Sequence, residues 1–239
     1  MNSGEKSMDA IDRRAALGLG IAAGAASLGG PVAAQAPANP APAFTPRPLP
    51  FDAATLPGLS AKLLTSHHDN NYIGAVKRLG AIKAEFARLD PMTAPGFTLN
   101  GLKREELIAW NSMILHEIYF AGLGGASRPG ARLSQAIERD FGSHARWAAE
   151  FTGMGKALAA GSGWVLLTWS ERDGRLTNQW AADHTMTLAG GTPLLALDMY
   201  EHAYAIDYGA KAGDYVDTYM KVLSWDAASR RFERLAAPI

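Results

Sequence analysis

The chain has 239 residues, of which 48% are apolar and 19% are charged, and its 23 basic residues balance its 23 acidic residues. This apolar content excludes a wholly disordered or collagen-like chain. The zero net charge argues against a nucleic-acid partner, because nucleic-acid-binding proteins usually have a basic excess. The chain has no cysteine, so disulfides, thiolate metal sites, iron–sulfur clusters and cysteine nucleophiles are excluded.

The first 36 residues have the pattern of an export signal. Arg13-Arg14 precedes an uncharged run rich in glycine and alanine, and the Ala-Gln-Ala at residues 34–36 offers a cleavage site. A membrane-spanning helix needs about 20 strongly apolar residues, and this run is only mildly apolar. We therefore expect a twin-arginine signal cleaved after Ala36, a periplasmic or exported protein, and no membrane attachment after signal removal. A retained anchor is the alternative.

The first half of the body is predicted to be helical. Residues 37–48 are rich in proline, which suits an extended, solvated leader. Apolar residues recur in steps of three and four from residue 59 to residue 89, which predicts one long amphipathic helix. A second helix is expected over residues 103–120, and its stretch 107–120 is apolar nearly all round, so we expect it to be buried. Glycines between residues 122 and 130 mark a boundary.

The second half is predicted to mix helices with strands. Helices are expected over residues 133–141 and 145–159, from residue 199 onward, and over residues 215–223 and 227–235. Strands are expected over residues 163–170, 176–182 and 192–198, with a hairpin turn at residues 172–175 between the first two.

These elements predict an α+β fold in two domains. The first, residues 49–125, is an N-terminal antiparallel helical hairpin. The second, residues 126–239, is a C-terminal mixed domain with a three-stranded antiparallel sheet flanked by helices. Residues 1–36 are the twin-arginine signal peptide and residues 37–48 the proline-rich leader.

The histidines carry most of the chemistry that the sequence offers. The six positions are His67, His68, His116, His144, His184 and His202. Asp198 ends the third strand and His202 follows four residues later, which lets a carboxylate and an imidazole converge, although this spacing alone is a weak signal. His67 and His116 lie among apolar neighbours in helical segments, where a core histidine and a metal ligand are both open interpretations. Three histidines and one aspartate suit iron, manganese or zinc.

Several blocks of the chain resemble one family. Residues 195–208, LALDMYEHAYAIDY, closely resemble the C-terminal signature D-x-W-E-H-A-Y-Y of the iron/manganese superoxide dismutases. Residues 49–52 resemble the family's opening LPY-D, and residues 60–68 resemble its first helix. The FGS at residues 141–143 and the GSGW at residues 161–164 match two further blocks. The resemblance extends from about residue 49 to residue 235.

The resemblance implies a superoxide dismutase that converts superoxide into dioxygen and hydrogen peroxide while its metal alternates between trivalent and divalent states. It implies one iron or manganese ion per subunit. The implied ligands are His67, His116, Asp198 and His202. Spacing and resemblance do not choose between the two metals.

The resemblance also implies the surroundings of the metal. His184 matches a family variant in which a histidine after the hairpin orients the metal's solvent ligand. The implied cavity walls are Tyr119, Trp164 and Tyr200, the last in place of the family's tryptophan. Glu201 is implied to hydrogen-bond His202 of the opposite subunit, which makes a homodimer the expected assembly.

The chain departs from the family at the gateway to the metal. Asn71 and Ala205 stand where the family has a histidine and its tyrosine partner, and Ala75 replaces a second tyrosine. One interpretation is a dismutase with a wider entrance, in which Asn71 or Tyr72 supplies polar groups or solvent carries the protons. The alternatives are an altered or inactive metal-binding member of the fold and an oxidoreductase for another small oxidant. The intact ligands and the export signal favour the first.

Overall fold

A helical hairpin forms the first half of the computed structural model, which describes residues 44–236. Helix α1 (Ala61–Ser66), a π-helical turn (His67–Tyr72) and α2 (Ile73–Phe86) follow one another without a break, and α3 (Gly96–Ala121) returns beside them. Except for the π-helical turn, this confirms the two predicted helices. The predicted export signal and residues 37–43 of the leader lie outside the described residues.

The hairpin is antiparallel and held by a buried apolar face. The Ser60 side chain caps α1 by accepting a hydrogen bond from the Leu63 N–H at 3.1 Å. Leu63 and Leu79 are fully buried, as the helical spacing of the apolar residues requires. Tyr72 of the first arm reaches Glu117 of α3, whereas Lys83 reaches Glu106, so the two arms run in opposite directions.

The prediction that residues 107–120 are buried all round is wrong for one face of α3. Leu107, Trp110 and Ile114 remain 46%, 37% and 38% exposed. Their spacing places them on one side of the helix, while α2 and the sheet pack against the other side. Apolar character all round α3 therefore did not distinguish its buried face from its exposed one.

The second half contains the predicted three-stranded antiparallel sheet. Helices α4 (Ala131–Phe141) and α5 (His144–Ala157) precede strands β1 (Trp164–Ser170), β2 (Arg175–Ala181) and β3 (Gly191–Asp198). The strand order is β2-β1-β3, and the central β1 is buried along its whole length. In this register Trp164 lies opposite Asp198, which places the start of β1 beside the end of β3.

Three helices complete the described chain: α6 (Ala205–Tyr208), α7 (Ala212–Val222) and α8 (Asp226–Leu235). A helix was predicted from Met199 onward. The chain instead makes a 3-10 turn at Glu201–Ala203 before its next α-helix begins. The predicted boundary at residues 125–126 falls in the connection between α3 and α4, and the division into two domains stays a prediction. Within residues 44–236, every helix is too short or too polar to cross a bilayer.

A buried carboxylate joins α4 to the edge of the sheet. The Asp140 side chain is 2% exposed and accepts hydrogen bonds from the Arg139 guanidinium at 2.7 Å, from Arg175 at 2.9 Å and from the Leu176 N–H at 2.8 Å. Burial acts to raise the pKa of Asp140, but these donors outweigh it and hold the pKa below its ordinary value.

We expect Asp140→Asn to lower the free energy of unfolding at pH 7 by about 1–3 kcal/mol, because it removes the charge from a buried hydrogen-bond network. Since the folded-state pKa lies below the ordinary 3.8, this stabilisation is complete above about pH 3.8 and is lost as the pH falls through the lowered pKa. Calorimetry of both proteins from pH 7 to pH 3, with exposed Asp214→Asn as control, measures it. A difference that stays constant down to pH 3 would contradict the assignment.

Candidate metal centre

Four separate elements bring one buried polar cluster together. His67 begins the π-helical turn, His116 lies on α3, Asp198 ends β3, and His202 lies in the turn after it. One potential ligand atom from each of the four lies within 4.8 Å of the others. The residues that the resemblance implied as ligands therefore converge on one point.

The carboxylate of Asp198 is the centre of this cluster. Its Oδ2 atom lies 3.1 Å from His67 Nε2, 3.2 Å from His202 Nε2 and 3.5 Å from His116 Nε2. Its Oδ1 atom accepts a hydrogen bond from the Tyr200 N–H at 2.9 Å, which fixes the plane of the carboxylate. Asp198 itself is fully buried, so its charge has no contact with bulk water.

One hydrogen bond fixes the tautomer of His116. Its Nδ1 donates to the backbone carbonyl of Ser112 at 2.6 Å, so the neutral ring carries its lone pair on Nε2. Burial lowers the pKa of His116 to about 3, which keeps the ring neutral near pH 7. Burial also lowers the pKa of His67. The Nε2 atom of His116 is therefore ready to donate an electron pair.

The same geometry leaves polar atoms without partners. Among the described residues, neither His116 Nε2 nor His67 Nδ1 has a hydrogen-bond partner, and both are buried. An unpaired buried polar atom costs about 1–3 kcal/mol. His116 Nε2 and Asp198 Oδ2 also face each other with lone pairs, an arrangement that a cation between them would stabilise.

The charges and donor types of the cluster fit a metal ion. Burial acts to raise the pKa of Asp198, but the neighbouring His202 and His67 outweigh it and keep the pKa well below its ordinary value. The cluster thus offers one carboxylate and three imidazoles. This set of nitrogen and oxygen donors suits iron, manganese or zinc.

His184 lies beside the cluster, as the resemblance implied. Its Nδ1 accepts a hydrogen bond from the indole N–H of Trp164 at 3.0 Å, and its ring centre is 6.2 Å from that of His116. The carbonyl of His184 accepts from the Asn111 side chain at 2.6 Å, which anchors the loop to α3. Burial lowers the pKa of His184, which favours the neutral ring. Because the Trp164 N–H donates to Nδ1, the proton of that neutral ring lies on Nε2.

Aromatic side chains surround the histidines where the resemblance implied cavity walls. Tyr119 lies 5.0 Å from the His67 ring, and Tyr200 stacks between His184 at 5.0 Å and His202 at 5.4 Å. Burial raises the pKa of Tyr200 to about 12, so its hydroxyl stays protonated near pH 7. Trp164 is more than the expected apolar wall, because its N–H also holds His184.

An open cleft of about 290 Å³ leads to His184. Its lining is formed by Asn70, Asn71, Gly74, Ala75, Arg78, Ile108, Ala109, Ser112 and His184. Two of the altered gateway positions, Asn71 and Ala75, therefore line this cleft together with His184. Ala205 and Glu201 do not line this cleft, and both are exposed in the single chain.

Tyr72 does not supply a polar group to this cleft, contrary to one of the sequence-based possibilities. Its hydroxyl accepts a hydrogen bond from the Arg47 N–H at 2.8 Å and donates to Glu117 Oε1 at 3.1 Å. Because neighbouring residues of a helix point in different directions, Tyr72 faces the core while Asn71 faces the cleft.

Sequence reasoning missed two supports of the cluster. The Tyr215 hydroxyl donates to the backbone carbonyl of Asp198 at 2.8 Å, and the Asn111 side chain holds the loop of His184. Tyr215 was predicted only as part of a helix. The sole signal for its role was a polar tip on an otherwise buried helix face.

Comparisons with known proteins identify relatives of the chain. Residues 129–231 match a family model described as iron/manganese superoxide dismutases, C-terminal domain. The chain is 68% identical over 187 residues to a superoxide dismutase of Cupriavidus metallidurans that is named as the iron enzyme, covering 78% of this chain and 94% of that protein.

Of two more distant relatives, one is named as a manganese enzyme and the other as an iron enzyme. A superoxide dismutase of Halobacterium salinarum, named as a manganese enzyme, is 34% identical over 193 residues, with 79% of this chain and 94% of that protein covered. One from Aquifex aeolicus, named as an iron enzyme, is 32% identical over 187 residues, with 75% and 86% covered.

Proposed function

This chain belongs to the iron/manganese superoxide dismutase family, and we propose that His67, His116, Asp198 and His202 hold its metal ion. The protein is a superoxide dismutase, an oxidoreductase that converts two superoxide anions and two protons into dioxygen and hydrogen peroxide. The observation that carries this activity is the 68% identity across 94% of the dismutase from Cupriavidus metallidurans. The inactive and other-oxidant alternatives are not favoured, because that identity accompanies an intact four-residue cluster.

The cofactor is iron or manganese, and when bound it supplies one-electron exchange between its trivalent and divalent states. We propose iron, because the 68% identical relative is named as an iron enzyme. Three neutral imidazoles would donate lone pairs to the ion, and the Asp198 carboxylate would offset part of its positive charge. The Tyr200 N–H and the Ser112 carbonyl hold two of these ligands in fixed orientations.

His184 is proposed to orient small molecules that reach the centre. Because Trp164 donates to its Nδ1, the proton of the neutral ring is held on Nε2. The peroxide product needs two protons, and we propose that solvent in the cleft beside His184 supplies them. Asn71 offers an amide donor at this entrance, but an amide does not titrate, so solvent replaces the proton-carrying groups of the family's gateway.

We expect the iron-loaded protein to remove superoxide catalytically in pulse radiolysis, and His184→Ala to lower the rate by about 10- to 100-fold at unchanged iron content. His184→Gln, which keeps an N–H donor, should retain more activity than His184→Ala. Asp198→Asn serves as the ligand control and should lose the metal itself. A fully loaded wild-type protein that removes superoxide no faster than buffer would overturn the assignment.

The protein is further proposed to be a homodimer in which Glu201 of one subunit bonds His202 of the other. In support, Glu201 is exposed, and the adjacent His202 side chain is 26% exposed at the edge of the cluster. Ile206, four residues after His202, adds an apolar side chain that is 44% exposed on the same segment. A twofold contact would pair each of these residues reciprocally.

Sedimentation velocity tests the dimer. The wild-type protein should sediment as a dimer, and Glu201→Ala should shift it toward the monomer, whereas Glu138→Ala on the exposed side of α4 should not. A monomeric wild-type protein at micromolar concentration would exclude the proposed contact.

We further propose that the chain is exported through the twin-arginine route. Its support is the sequence alone: Arg13-Arg14, the mild apolar run and the Ala-Gln-Ala at residues 34–36. Replacing Arg13-Arg14 with two lysines should retain the full-length chain in the cytoplasm, whereas the wild-type chain should be recovered outside it, shortened by the signal. Equal distribution of both proteins would contradict export.

A further inference from the structure

The last part of the predicted leader packs against the helical hairpin. Phe44 lies against a small buried cluster between α2 and α3 that contains Leu79 and Ala109, and it meets the edge of Trp110 at 5.9 Å. Residues 44–48 are therefore more than the solvated spacer that their prolines predict.

Arg47 bonds to both arms of the hairpin at once. Its N–H donates to the Tyr72 hydroxyl at 2.8 Å, and its carbonyl accepts from His68 Nε2 at 2.8 Å. Its guanidinium lies 3.0 Å from Glu117 Oε2, and the Tyr72 hydroxyl donates to Glu117 Oε1 at 3.1 Å. Arg47, Tyr72 and Glu117 thus form a closed ring of contacts, which we name the hairpin clamp.

The hairpin clamp is separated from the proposed ligands by a single layer of side chains. His68 directly follows His67, and Glu117 directly follows His116. The Phe120 ring lies between the clamp and the proposed ligands. Its centre is 5.1 Å from that of the His67 ring, 5.6 Å from that of His68 and 6.4 Å from that of Tyr72. The Phe120 ring also stacks on His116 at 6.4 Å, so it contacts both ligand rings and the clamp.

The π-helical turn connects the hairpin clamp to one of the proposed ligands. His67 is the first residue of this turn and Tyr72 is the last. A π-helical turn is rare and is frequently found at functional sites. The Tyr72 hydroxyl bonds the far end of the turn to Glu117 on α3, and His67 at the near end lies with its ring centre 5.0 Å from that of His116.

We infer that the hairpin clamp is a positioning device for the metal centre, with Tyr72 as its central residue. It rests on the proposed ligand set. Tyr72 occupies a position expected to serve the gateway, yet its hydroxyl joins the helix of His67 to the helix of His116. The clamp acts through Phe120 and the backbone, without contact with substrate.

The test compares iron-loaded variants of the full mature protein. Tyr72→Phe keeps the buried ring but removes the hydroxyl, and it should speed iron release into excess chelator by about 10-fold or more, in the range measured for indirect ligand supports. It should also shift the visible spectrum of the ferric protein, because the ligand geometry changes. Arg47→Ala, an exposed change that spares folding, should move both readouts in the same direction, and Arg47→Lys should restore them.

Lys83→Ala is the matched control. It removes an ion pair to Glu106 that joins the same two helices, about 15 Å along α3 from His116. This variant should lower the melting temperature while leaving the release rate and the spectrum at wild-type values. Equal effects of Lys83→Ala and Tyr72→Phe would mean general loosening of the hairpin and would overturn the clamp.

Asp198→Asn separates failure of the clamp from failure of the ligand assignment. If Asp198→Asn loses iron while Tyr72→Phe and Arg47→Ala release it at the wild-type rate, the clamp alone is wrong. If Asp198→Asn keeps iron and its spectrum, the ligand assignment is wrong and the clamp falls with it.

Discussion

The interaction on which the site depends is the buried carboxylate of Asp198 facing three imidazoles. A charge without water must be compensated by its neighbours, and here His67 of the π-helical turn and His202 of the turn after β3 lie within hydrogen-bond distance of it, while His116 of α3 directs a lone pair toward it. Their arrival at one point requires the hairpin to pack against the end of the sheet. The register of β1 against β3 completes the arrangement, because it sets Trp164 beside Asp198. The packing that forms the fold therefore also assembles the site.

Hydrogen bonds that involve backbone groups orient two members of this cluster, Asp198 and His116. The Tyr200 N–H holds Asp198, the Ser112 carbonyl holds His116, and Tyr215 holds the carbonyl of Asp198. Such partners are rigid because the helices and strands already fix them. Asp198 and His116 are consequently oriented before any ion arrives, which reduces the reorganisation that binding requires.

The sequence predicted the elements well where local periodicity decides them. Both hairpin helices, the three strands and their antiparallel order followed from spacing and turn residues, and the resemblance placed the four cluster residues. The sequence could not show that Tyr72 faces Glu117 or that Trp164 donates to His184, since these contacts join residues far apart in the chain. The exposed side of α3 was missed for a different reason. Uniform apolar composition carries no information about which face a neighbour covers.

The cluster also links parts of a chain that has no cysteine. It joins the π-helical turn, α3 and the end of the sheet, which are distant in sequence but adjacent in space. A bound ion would therefore cross-link the two halves of the fold, which is a role that disulfides often have in secreted proteins. Any ligand that binds only the folded state raises the free energy of unfolding with its concentration and affinity. The durability of the folded protein would then depend on the local supply of its metal as well as on its packing.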